Sequence, residues 1–287
     1  MKLALGTAQF GLPYGIANRR GQIDQEEASR IIEVARANHV DMLDTAIAYG
    51  DSEACLGSVG VNGFKVISKL PSISEDVDVV SWVTQQVEDS VDRLMVESLY
   101  GLLLHRPDEL FGKDGQALWE SLQELKSNGF IEKLGISIYS PAELERITSA
   151  HHIDIVQAPF NIFDRRMETS GWFQKLHEMG IEIHVRSVFL QGLLLMPRAE
   201  VPEKFSRWSN YLDQWHTYLQ EANVSAYAAC LGFVSSQPMV DRSVIGVDSS
   251  SQLLKLVQAF QGGKDEQIPD LACNDECFIN PANWNML

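Results

Sequence analysis

Residues 42–50, MLDTAIAYG, run from an apolar pair to a carboxylate at Asp44 and carry a phenol five residues later at Tyr49. The pattern recurs. KVISKLP (65–71) sets Lys69 behind Val66 and Ile67, and LYGLLLHRP (99–107) sets His105 behind three leucines. Short runs rich in Val, Ile and Leu read as buried strands. A charge at the end of such a strand is costly unless it is paired or functional. Several of these ends brought together make the rim of a barrel, where loops carry chemistry.

Working outward, eight strand-like segments fall at 2–7, 41–45, 64–68, 98–104, 133–137, 153–157, 181–187 and 242–246. Helical patterns separate them at 24–38, 79–93, 114–127, 140–150, 167–179, 225–236 and 249–260. Asp24 is a candidate N-cap with Glu27 in capping-box position, and Ser140-Pro141 is a helix start. Eight strands alternating with helices imply parallel pairing, and eight is the number that closes a (β/α)8 TIM barrel. A doubly wound open sheet is the competing architecture. LGTAQFG (5–11) lacks the glycine spacing its first turn would need. No Pro-, Gly- or Ser-rich linker divides the chain, so residues 1–287 read as one domain. Residues 188–224 form an insertion before the penultimate helix, and 264–287 an irregular tail.

The chain has 287 residues and 45% hydrophobic residues, enough for a sizeable core, with a formal net charge of -16. That charge argues against nucleic-acid binding, which rests on cations neutralising phosphates. It still permits a few local donors to hold an anionic cofactor. No signal peptide and no membrane-spanning run is read, and four cysteines fit a reducing cytoplasm better than a disulfide scaffold. The expectation is a cytoplasmic protein with no membrane partner. The oligomeric state is not legible.

The chemistry follows from the four polar side chains. A free phenol has a pKa of about 10, and an adjacent ammonium lowers it. Lys69 would supply that charge, Asp44 would hold Lys69 by ion pairing, and His105 would donate to a substrate oxygen. Together they suit proton delivery to a carbonyl while another agent delivers hydride, which points to a nicotinamide cofactor. Each residue alone has a bland reading: a capping turn for Asp44, a turn aromatic for Tyr49, a solvated strand end for Lys69, a satisfied loop histidine for His105. Their placement on three successive strand ends outweighs those readings.

These motifs resemble the aldo-keto reductase superfamily: LGTAQFG its first strand, MLDTAIAYGDSEACLG (42–57) its Asp–Tyr signature with the small helix that follows, and the next two segments its lysine and histidine. The resemblance runs to about residue 260. It implies a (β/α)8 barrel with a nicotinamide dinucleotide at the C-terminal rim, and reduction of an aldehyde or ketone with Tyr49 as general acid. It further implies cofactor contacts from Gly6, Thr7, Ala8 and Asp44. KLGISIYSP (133–141) and IVQAPFN (155–161) resemble the carboxamide-binding segments, with Ser137 and Gln157 in place but Ile138 where asparagine is usual. Asn161 follows the family pattern. RSVFLQGLLL (186–195) resembles the pyrophosphate segment, implying Ser187, Phe189, Gln191, Gly192 and Leu193. Arg186 stands where a tyrosine usually stacks on the nicotinamide. A guanidinium can also stack, and beside a ring that becomes cationic on oxidation it would favour the reduced cofactor.

VIGVDSSSQLLK (244–255) resembles the adenosine-phosphate segment, implying Gly246, Val247, Asp248, Gln252 and Lys255. The resemblance implies NADPH. Asp248 pulls towards NADH, because a carboxylate repels a 2′-phosphate and accepts from a free ribose. Its bland reading is the N-cap of 249–260. Trp208, Tyr211, Trp215 and Tyr218 recur at helical spacing and read as packing on the barrel, with a lid as the functional alternative. NPANWNML (280–287) could tuck over the pocket, as the tail of the family it resembles often does; whether it acts as a lid is not legible. Arg19, Arg20, Arg106, Arg165 and Arg166 fall near the expected rim and would suit a sugar or an anionic substrate. Cys273 and Cys277 lack further ligands in register, so no metal site is read. The alternative to an enzyme is a cofactor-sensing regulatory or scaffold protein of the same fold. A metal-dependent hydrolase barrel lacks its His-x-His signature.

Overall fold

The computed structural model describes residues 2–261 and 268–286. Its eight strands are β1 (Leu3–Gly6), β2 (Met42–Asp44), β3 (Lys65–Leu70), β4 (Leu99–Leu104), β5 (Ile131–Ser137), β6 (Ile155–Pro159), β7 (Glu182–Arg186) and β8 (Arg242–Gly246). They pair in parallel, in chain order, and β8 returns to β1, closing a (β/α)8 barrel. The closed ring excludes the open-sheet alternative. Each strand is buried on both faces, as the continuous apolar runs require.

Two cores result. Ala4, Met42, Ile67, Leu103, Ile155 and Val244 fill the barrel interior, and a larger shell lies between strands and helices. Interior space decides one glycine: a Cβ at Gly101 would come within 2.5 Å of Ile67 and 2.9 Å of Ile155. Register sets the rim. Gly6 pairs with both Asp44 and Gly246, Lys69 with Leu103, and Ser137 with Gln157. The expected site residues therefore end at one mouth.

The local signals hold in most places. Asp24 accepts from the Glu27 amide at 2.8 Å and starts the helix Gln25–Ala37. The Glu27 carboxylate does not complete a capping box. It accepts instead from the Ser250 amide and hydroxyl, tying that helix to Ser250–Gln261. Ser140 and Glu143 do form a capping box. The stretch read as one helix over 167–179 is two, Arg166–Thr169 and Trp172–Glu178, because Gly171 takes a left-handed φ of 76° between them.

The first part of the insertion, through Glu200, lines the barrel mouth, whereas Phe205 and Trp208 pack on the tail. Trp208 stacks on Phe278 with centroids 5.1 Å apart and donates to Asp275 at 3.0 Å. Trp215 is fully buried and donates to the Leu194 carbonyl. Trp284 packs edge-on against Phe205. Residues 280–286 do not line the cavity, since these apolar rings find a dry partner in one another. Residues 264–267 of the expected tail lie outside the described residues. No helix among the described residues is long and apolar enough to cross a membrane.

Candidate active site

At the C-terminal mouth of the barrel a cavity of about 380 Å3 runs from Asp44, Tyr49 and His105 past Ser137, Gln157, Arg186 and Ser187 to Asp248 and Gln252. Asp44 is the last residue of β2, and Lys69 is the next-to-last of β3 with its side chain directed inward. Lys69 is 1% exposed and Asp44 4%. The amine donates to Asp44 Oδ1 at 2.5 Å and to the Thr45 carbonyl at 2.8 Å, while Gln157 Nε2 donates to Asp44 Oδ2 at 2.6 Å. The ion pair expected from sequence is thus present and desolvated. Burial pulls the Lys69 ammonium below its ordinary range, and Asp44 opposes that shift.

Tyr49 is set by backbone packing. A Cβ at Gly11 would strike the Tyr49 carbonyl at 1.8 Å, and Gly50, at φ 54°, sits against the Gly11 carbonyl. Only glycine allows the β1 and β2 loops to approach this closely. Ser52 then stitches them together, donating to the Thr7 carbonyl at 2.8 Å. The small helix Ser52–Val59 is anchored by Glu53, whose buried carboxylate accepts from Ser68, Ser90 and Arg93. The Lys69 amine stands 5.2 Å from the centroid of the Tyr49 ring, and the His105 ring 5.9 Å from it.

One expectation is reversed. Burial first, and then Asp44, push the Tyr49 phenol above its ordinary range, with Arg186 opposing them, so the resting site does not acidify it. His105 goes the other way. Burial, then the Lys69 and Arg186 charges, lower it to about 3, so its ring is neutral at neutral pH.

Gly6, Thr7, Ala8, Ser137, Gln157, Arg186, Ser187, Phe189, Gln191, Gly192, Gly246, Asp248 and Gln252 all line the cavity. Ser137 donates to Gln157 at 3.3 Å. Ser187, Leu190, Gln191 and Gly192 take positive φ, an irregular arc of the kind that clusters at ligand clamps. Leu193 and Val247 are buried away from the lining. Lys255 is exposed on the helix Ser250–Gln261 and does not line it either. Asp248 does not cap that helix, because Ser249 accepts from the Gln252 amide and takes the role. The Asp248 carboxyl is left half-buried at the cavity wall, raised by burial with Arg20 opposing.

Sequence reasoning placed Arg19 near the rim, where it lines the cavity, but missed Tyr14, Tyr139 and Glu200, which line it too. Ile16 donates to the Gln191 carbonyl, and Arg19 forms an ion pair with Glu200. The glycine in PYG (13–15) marks a turn but says nothing of Gln191, 177 residues on from Tyr14. Among the described residues no group of three or more His, Cys, Asp or Glu is placed to hold a metal ion. The four cysteines are free thiols.

The sequence model of the "Aldo/keto reductase family" matches residues 2–271. An oxidoreductase of Leptosphaeria maculans, sirO, is 26% identical over 216 residues, covering 72% of this chain and 65% of that protein. The aldo-keto reductase YhdN of Bacillus subtilis is 25% identical over 184 residues, 59% of this chain and 53% of that one. The chain thus matches between about half and two thirds of the length of these two curated relatives. Among solved structures, the holo form of the Bacillus halodurans aldo-keto reductase AKR11C1 superposes with a TM-score of 0.73 at 21% identity, over 95% of this chain and 92% of that one. The glycerol dehydrogenase AKR11B4 of Gluconobacter oxydans gives 0.66 at 21% identity, over 93% and 94%. At these identities the structures speak to the fold alone, and the family match carries the assignment: the chain belongs to the aldo/keto reductase family.

Proposed function

We propose that the protein is an oxidoreductase that interconverts a carbonyl compound and its alcohol using a nicotinamide dinucleotide. The observation that carries this is the convergence of Tyr49, His105 and the buried Lys69–Asp44 pair on one end of a cavity long enough to continue to Asp248. The dinucleotide, when bound, supplies the hydride.

The residues present fit such a group. Ser137 and Gln157 offer polar atoms at the catalytic end, the irregular arc from Ser187 to Gly192 offers backbone to a pyrophosphate, and Asp248 and Gln252 face the far end. Tyr49 holds the proton to be given. Its raised pKa keeps it protonated throughout the neutral range, as a donor must be. The phenolate formed on transfer is stabilised by the Lys69 ammonium beside its ring, a charge already oriented by Asp44 and Thr45 and so requiring no rearrangement. His105, neutral, orients the carbonyl oxygen by hydrogen bonding without competing as an acid.

At the adenosine end Asp248 supports a free ribose, and hence NADH over the NADPH implied by resemblance. Lys255, the expected phosphate partner, is off the wall. Titrating the protein with NADH and NADPH while following tryptophan fluorescence tests the reading. Saturable quenching by at least one is expected, and none by either would overturn it.

A further inference from the structure

The catalytic end of the cavity carries a cation with no countercharge. Asp44 and Lys69 neutralise each other, and His105 is uncharged at neutral pH. Arg186 at the end of β7 has no carboxylate partner among the described residues. It donates from Nη2 to the Ile138 carbonyl at 2.9 Å and from Nη1 to Ser187 Oγ at 3.3 Å, and its guanidinium lies 4.6 Å from the Tyr139 ring centroid. Its remaining N–H donors have no protein acceptor among the described residues, and the side chain lines the cavity together with Tyr49, His105, Tyr14 and Tyr139. Its field reaches Tyr14, Tyr49, Lys69 and His105 alike.

The other arginines expected near the rim are committed elsewhere. Arg19 pairs with Glu200, Arg106 with Asp108, and Arg166 with Asp164 and Glu276. Arg165 donates to the Ile162 and Pro269 carbonyls. Arg20 is absent from the lining. An arginine held over a ring by two hydrogen bonds has already lost most of its rotamer freedom, so a further bond costs little entropy. On a chain of net charge -16 a lone cation here is a local device, and its planar fork matches a carboxylate.

We propose that Arg186 selects carbonyl substrates that carry a carboxylate, docking that group while Tyr49 and His105 meet the carbonyl oxygen. This rests on the reductase reading above. The reaction is the ordinary one: hydride to the carbonyl carbon, the Tyr49 proton to its oxygen, and the carboxylate unchanged.

Binding is measured with unreactive probes, 4-carboxybenzamide and its neutral partner 4-methylbenzamide, by calorimetry on the protein saturated with whichever dinucleotide binds. The carboxylate probe should bind at least tenfold tighter. Arg186→Met should abolish that preference with little change for the neutral probe, and Arg186→Lys should restore part of it. Turnover of 4-carboxybenzaldehyde against 4-methylbenzaldehyde should show the same preference in KM. Equal affinity of the two probes, or a preference that survives Arg186→Met, would overturn the proposal. So would competition between the carboxylate probe and the dinucleotide, which would assign the guanidinium to the cofactor's phosphates. The binding arm needs no turnover. Carboxylate preference without reduction would therefore count against the reductase reading and leave only the carboxylate-docking role of Arg186 standing.

Discussion

Lys69→Met removes the centre of the buried network and leaves its acceptors behind. The substitution keeps roughly the side-chain volume but deletes the 2.5 Å contact to Asp44 Oδ1 and the 2.8 Å bond to the Thr45 carbonyl. Asp44 retains only Gln157, so a nearly inaccessible carboxylate loses its countercharge. Removing one partner of a buried pair costs about 3–5 kcal/mol. With a urea m-value of about 3 kcal/mol/M, at the upper end of the small-protein range because the chain is long, the midpoint should fall by about 1 to 1.7 M. The double variant Asp44→Asn, Lys69→Met carries no orphaned charge and should recover a good part of the loss, giving a coupling of about 1–3 kcal/mol. Urea unfolding followed by tryptophan fluorescence measures all three proteins. A Lys69→Met midpoint unchanged from the parent, or a double variant less stable than the single by the full cost of Asp44→Asn, would refute the claim that the two side chains form a desolvated pair.

His105 titrates near 3 in the folded chain against an ordinary 6.5. Between those values the unfolded chain binds the extra proton, so this residue's contribution to stability is complete above about 6.5 and is lost as pH falls towards 3. His105→Gln should flatten the parent's stability profile in that window, and kcat/KM of the parent should show no histidine inflection between about pH 5 and 8. Asp248→Ser should shift the NADPH-to-NADH affinity ratio towards NADPH by about tenfold, about 1.4 kcal/mol. An unchanged ratio in a fluorescence titration would mean the carboxylate does not meet the ribose. Arg186→Tyr should lower the ratio of reduced to oxidised dinucleotide affinity, read by the same titration, and an unaltered ratio would remove the guanidinium from the nicotinamide's neighbourhood.

The strands were legible because burial on both faces demands uninterrupted apolar runs, and these stand out against the helical period around them. Asp44 and His105 were legible because they end such runs. Lys69 announced itself by its charge, although it lies inside β3 rather than after it. Other features depend on distances the sequence does not contain. The acidity of Tyr49 was misjudged because sequence shows the neighbouring ammonium but neither the depth of burial nor the opposing charge of Asp44. Glu53 could have been noticed as a lone charge in a helix of small and apolar residues, and Arg93, its partner, sits 40 positions away. Trp208, Tyr211, Trp215 and Tyr218 had the right spacing for a helix. Whether that helix covers the cavity or the flank depends on Phe278 and Trp284, whose position no local pattern gives. Asp248 lost its capping role to Ser249, one residue on, a choice that turns on a single backbone hydrogen bond.

The central claim is that the phenol of Tyr49 delivers the proton while a bound dinucleotide delivers hydride. Tyr49→Phe removes one hydroxyl oxygen and leaves the cavity wall in place. The decisive measurement compares parent and variant in two numbers: the dinucleotide dissociation constant and kcat for an aldehyde that the parent reduces. The account predicts an unchanged dissociation constant and a kcat lower by about 100- to 10,000-fold, the usual contribution of a positioned acid. A variant that turns over at the parent's rate would contradict it.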